Sequence, residues 1–61
     1  MELIELVRCA QRELRRRRGS YPMAVATKTM SQAEADRELA AQEAIVAHLE
    51  AEANQMRFEF D

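Results

Sequence analysis

Between Ser31 and Ala53 the chain keeps one spacing. Ala35, Leu39, Gln42, Val46, Leu49 and Ala53 follow one another at alternating four- and three-residue steps. That is the pattern of a helix packed along a single seam against another helix. Ile45 and Met56 flank the seam, and Gln42 is its polar member, a residue type that fixes register at some cost in stability. The start of the helix is also written in the sequence. In Ser31-Gln32-Ala33-Glu34 the Ser31 hydroxyl accepts from the Glu34 backbone N–H, and the Glu34 carboxylate returns to the N–H of Ser31. Met30 stands at the staple position. A helix is predicted over 32–54, with Asn54 as its end.

The partner helix is predicted over 2–18. Leu3, Leu6, Val7, Ala10 and Leu14 form one apolar face. Glu2 and Glu5 stand in the first turn and Arg15–Arg18 in the last, the order the helix dipole favours. Glu13 and Arg17 are spaced to pair at i,i+4. Gly19, the only glycine, reads as a left-handed cap, with Ser20, Tyr21 and Pro22 breaking the chain. Residues 22–30 read as one or two helical turns opened by Pro22, then a turn near Lys28–Thr29.

Composition limits what this can build. The chain has 61 residues, so one domain at most. Leu, Ile, Val and Phe together number 12, while Ala alone numbers 11. A core this thin in a chain this short needs support. With one Cys and one His, neither a disulfide nor a metal cluster supplies it within the chain. The expected fold is all-α: an antiparallel helical hairpin over 1–54, with a short helical connection, in a dimeric bundle, and an extended tail over 55–61. A homodimer or higher assembly is expected.

Charge is divided. Residues 1–30 carry +4 and residues 31–61 carry −6, for a net −2. The halves are expected to attract each other within a hairpin or between antiparallel subunits. No apolar run reaches membrane-spanning length, and the apolar start is interrupted by Glu2 and Glu5, unlike a signal segment. A cytoplasmic protein without a membrane partner is expected, and the single thiol, Cys9, suits a reducing compartment.

Catalysis has no candidate constellation. His48 faces the polar side one turn from Glu52, and no nucleophile–base or metal-ligand spacing accompanies it. A single glycine leaves no phosphate-cradling loop. A non-enzyme without cofactor or metal is expected. Arg8, Arg12 and Arg15 share a helix face, widened by Arg16, and Tyr21 follows. Such a face neutralises phosphates without reading sequence, so nucleic acid is one candidate partner, set against the chain's negative net charge. The acidic residues Glu34, Asp36, Glu38, Glu43, Glu50 and Glu52 offer the opposite surface. Ala40, Ala44, Ala47 and Ala51 form a second stripe, which reads first as high-propensity filler on an exposed face.

After Asn54, Met56, Phe58 and Phe60 alternate with Arg57, Glu59 and Asp61. Period two predicts extended chain. Gln55-Met56-Arg57-Phe58-Glu59-Phe60 resembles the hexapeptide form of the bacterial sliding-clamp-binding motif. In that motif a Gln precedes an aliphatic and two large apolar residues at alternate positions. The commonest pattern has Leu where Met56 and Phe58 stand here. The resemblance implies that Gln55 is a polar anchor and that Met56, Phe58 and Phe60 fill apolar pockets. The simpler alternative is that both phenylalanines cover the chain's own core or a second subunit's.

Over residues 13–50, the Arg run, Tyr21-Pro22, Val25, Met30-Ser31-Gln32-Ala33 and Ala35-Asp36-Arg37-Glu38-Leu39-Ala40 resemble a group of short bacteriophage and prophage proteins. These commonly carry an aromatic residue after Tyr-Pro, where this chain has Met23-Ala24. The resemblance implies a protein acting in the bacterial cytoplasm on a host protein. Its most concrete form is engagement of the replication sliding clamp. The alternatives are a nucleic-acid accessory protein and an inhibitor of a host defence complex, such as an anti-CRISPR protein, acting through the acidic helix.

Overall fold

A computed structural model describes the backbone of residues 1–60 and the side chains of residues 1–55. It contains two α-helices, α1 over Leu3–Ala26 and α2 over Gln32–Phe60. They pack antiparallel as a rod about 49 Å long. The all-α hairpin expected from the sequence is the observed fold.

One seam holds the helices together. Val7, Ala10 and Leu14 are buried on α1, as are Ala35, Gln42 and Val46 on α2. Leu39 and Leu49 pack against the cluster of Ala10, Leu14 and Val46. The expected 4-3 positions of α2 therefore all face α1, down to half-buried Ala53. On α1 the same spacing runs from Leu3 through Val7, Ala10 and Leu14 to Arg17, Tyr21 and Ala24, each buried or half-buried. Leu6 lies beside the seam and is 40% exposed.

Three local expectations are corrected. The first concerns the break at Gly19. The helix read as 2–18 continues through Gly19, Ser20, Tyr21 and Pro22 to Ala26, so there is no separate short helical connection. Gly19 has no positive φ, and Arg15–Arg18 lie in the middle of the helix. The seam positions Arg17, Tyr21 and Ala24 extend the interface past the Gly and the Pro. Packing along an apolar face outweighs the local propensity of two residues.

The second correction is the identity of the cap. Lys28, with φ 62°, takes the left-handed position. Thr29 N–H donates to the Ala24 carbonyl at 3.0 Å, and Lys28 N–H to that of Val25 at 3.1 Å. This is the paired-bond ending of a helix that usually carries Gly where Lys28 stands. The Thr27 hydroxyl adds a bond to the Met23 carbonyl at 3.0 Å, and the Thr29 hydroxyl one to Ala24 at 3.1 Å. The expected turn near Lys28–Thr29 is therefore present. It is directly followed by the Ser31 cap, whose Oγ accepts from Glu34 N–H at 3.1 Å. The return bond from the Glu34 carboxylate is not formed among the described residues.

The third correction concerns 55–61, expected to be extended. The α2 backbone remains helical to Phe60. No Gly or Pro follows Asn54, and Gln, Met, Arg and Glu are all good helix formers. The period-two pattern of three side chains does not override that. Asp61 and the side chains of Met56, Phe58 and Phe60 lie outside the described residues.

Candidate functional site

The charged halves meet on both sides of the seam. Arg18 reaches Glu43 at 3.3 Å, and Gln11 donates to Glu50 at 3.1 Å on the same flank. On the other flank Arg17 reaches Glu38 at 3.6 Å. Arg17 also holds Glu13 at 2.9 Å, the i,i+4 pair written in the sequence, and Arg16 reaches the same carboxylate at 3.4 Å. The hydrogen bond from Arg17 holds the Glu13 carboxyl below the usual carboxylate range and raises Arg17 in turn. The expected attraction between basic and acidic halves is thus met within one hairpin by the far end of the Arg run.

This divides the basic face. Arg17 and Arg18 are engaged with α2, and Arg16 with Glu13. Arg8, Arg12 and Arg15 are exposed, and no ion pair among the described residues involves them. Their i,i+4,i+7 spacing lines them up over about 10 Å of helix. Three of the four expected phosphate-binding residues thus form one outward-facing row, and Arg16 belongs to a different contact. Tyr21, read as a possible stacking residue beside them, is half-buried in the seam. The continuation of the 4-3 spacing to Tyr21 and Ala24 is the signal that identifies it as a packing residue.

The other candidate site is the end of α2. The pairs Gln11–Glu50, Gln42–Ala10 and Arg18–Glu43 place Gln55 about level with the first turn of α1. Residues 56–60 therefore carry the α2 backbone some 7 Å further at about 1.5 Å per residue. Gln55 is exposed. With 3.6 residues per turn, a helix puts positions 56 and 60 on nearly one side and position 58 nearly opposite. In the helical state the three apolar residues of the hexapeptide do not share a face; in an extended strand they do.

The remaining features are few. An open depression of about 420 Å³ lies at the inter-helix turn between Val25, Lys28, Met30 and Glu34. Cys9 is an exposed free thiol. Among the described residues, no group of three or more His, Cys, Asp or Glu is arranged to hold a metal ion. No helix among them is long and apolar enough to cross a membrane. The acidic residues of α2 are also distributed: Glu38, Glu43 and Glu50 contact α1, and Asp36 accepts from Gln32 at 2.8 Å. No family model matches the chain, and neither a curated protein nor a solved structure matches it significantly.

Proposed function

We propose that this chain is a non-catalytic, phage-type module that binds a host protein in the bacterial cytoplasm through the end of α2. The most concrete partner is the replication sliding clamp, engaged by Gln55, Met56, Phe58 and Phe60. The observation that supports this reading is the position of the hexapeptide. It occupies the stretch of α2 that runs beyond the first turn of α1. A helix end without a flanking helix opens at small cost, because few tertiary contacts must break.

The reading carries a mechanism. Peptide recognition of this kind places alternate side chains of an extended segment into pockets while a polar group fixes register. Residues 55–60 must therefore leave the helix when they bind, bringing positions 56, 58 and 60 onto one side. Immobilised clamp should retain the full chain and lose it when residues 55–61 are deleted. Equal retention of both, or of neither, would sink this reading.

A second reading rests on the outward row of Arg8, Arg12 and Arg15. It makes the chain a nucleic-acid accessory protein whose affinity comes from phosphate neutralisation. Its affinity for duplex DNA falls steeply with added salt, and replacing the three arginines by Ala flattens that slope. A binding constant indifferent to salt excludes it. The third reading, inhibition of a host defence complex by the acidic helix, has less charge available, because Glu38, Glu43 and Glu50 already face α1.

A further inference from the structure

We propose that Gly19 belongs to the arginine row of α1, and that the row and its glycine receive the sugar–phosphate backbone of a nucleic-acid duplex. This rests on the second reading above, in which Arg8, Arg12 and Arg15 bind phosphates, and adds where the ligand lies and how closely it approaches. The chain itself does not explain this glycine. An interior glycine weakens a helix, and Gly19 lies inside α1. Its φ is not positive, so no turn requires it. A Cβ there would meet nothing within 4 Å, so no packed neighbour requires it either. The residue is exposed.

Its position connects it to the arginines. Arg8, Arg12, Arg15 and Gly19 follow one another at steps of four, three and four residues, which puts them on one line of the helix surface. That line spans about 16 Å, the rise of about five nucleotides of one strand. It runs along the face of α1 opposite Val7, Ala10 and Leu14, which are buried against α2. The acid nearest the row on α1 is Glu5, one turn before Arg8 and at the far end from Gly19. On α2, Glu50 and Glu43 lie beside the row and are bonded to Gln11 and Arg18. Three positions of the line carry long cations and the fourth carries no side chain. Bare helix backbone lets a bulky ligand approach closely, so a strand held by the arginines can close onto α1 at Gly19. The row also lacks what a single strand uses, aromatic side chains on which bases stack. Tyr21 is the only aromatic among the described side chains, and it is half-buried in the seam. Contacts to phosphates alone suit a duplex, whose bases are already stacked.

Fluorescence anisotropy of a short mixed-sequence DNA duplex, titrated with the full chain, tests this. Three phosphate contacts predict a slope of log affinity against log salt of about −2.7, and replacing all three arginines by Ala should flatten it. Gly19→Leu should lift the strand from that end of the row and remove the contact of Arg15. The slope should shrink to about −1.8 and the affinity fall about eightfold near 0.1 M salt. Gly19→Ala should weaken binding by less while raising the melting temperature. A glycine with a purely structural role would not move the two in opposite directions. Ala44→Leu, on the exposed outer face of α2, should bind as the parent does. No binding by the unsubstituted chain, or a slope indifferent to the triple substitution, removes the reading on which this rests. Parent-like affinity and slope for Gly19→Leu, with the triple substitution still flattening the response, keep that reading and overturn the place given to Gly19. Tighter binding of a single strand of the same length overturns the choice of a duplex.

Discussion

Gln42 Nε2 donates to the backbone carbonyl of Ala10 at 3.1 Å across the helix interface. Gln42 is 6% exposed, so the amide lies in the seam between α1 and α2. The Ala10 carbonyl already lies within α1, where it accepts the helical bond from residue 14, and the amide uses its second lone pair. The bond ties one seam position of α2 to one level of α1, which makes Gln42 a register-setting residue. Replacing it with Ala removes both the bond and the packing volume. The expected loss is about 2 kcal/mol, read from urea unfolding followed by helical circular dichroism. Replacing it with Leu leaves no orphaned acceptor on Ala10. That variant should be as stable as the parent or more so, while the helices lose their single register. Broadened amide resonances along the seam are the readout.

Gly19→Ala should stabilise the protein by about 1 kcal/mol. Gly19 lies inside α1 without a positive φ, and a Cβ there meets no atom within 4 Å. The gain is the helix propensity of Ala over Gly. A loss of stability on thermal unfolding would restore the alternative in which Gly19 caps a shorter helix.

Lys28→Gly should stabilise as well, by about 1 kcal/mol. Lys28 holds φ 62°, a conformation that costs an L-residue with a Cβ and costs Gly nothing comparable. The same substitution at exposed Ala26, the last residue of α1, which has no positive φ and no side-chain hydrogen bond to lose, should destabilise. The pair of melting curves separates a conformational effect from a general effect of glycine.

Ala35→Leu should destabilise by about 1–3 kcal/mol, because a close-packed site has no room for three more carbons. Ala35 is the least exposed core residue, at 2%, in the first turn of α2. Ser31→Ala, by contrast, touches only the α2 cap and should cost about 1 kcal/mol.

Acid should weaken the hairpin partly through Glu13. Its pKa is lowered in the folded chain, first by the hydrogen bond from Arg17. A group lowered by folding contributes stability in full above its unfolded pKa, and that contribution is lost as pH falls through the folded value. Glu13→Gln should therefore make stability fall less steeply across the acidic carboxylate range, with little change in slope near neutrality. An unchanged acid limb in pH-dependent urea unfolding would refute the role given to Glu13.

The seam of α2, the Ser31 cap and the Glu13–Arg17 pair were all legible in the sequence. Each depends on residues within four positions of one another, so periodicity and local chemistry specify them without reference to the rest of the chain. The candidate sites were legible only in part. The sequence identified the arginines, but not which of them α2 engages, because Glu38 and Glu43 are brought beside Arg17 and Arg18 by the register of the hairpin.

What the sequence determined by itself is a pair of amphipathic segments of opposite charge and too few large apolar side chains to enclose a core. What the tertiary structure decided is where the first of those segments ends. Gly19 and Pro22 are local signals to stop, and Lys28 is a local misfit at a left-handed position. Packing of Arg17, Tyr21 and Ala24 along α2 extends the helix past the first two and ends it at the third. The competition is between about 1 kcal/mol for an interior glycine, or about 3 kcal/mol for a proline, and the burial along about two extra helical turns. Only the second helix, lying alongside, settles it.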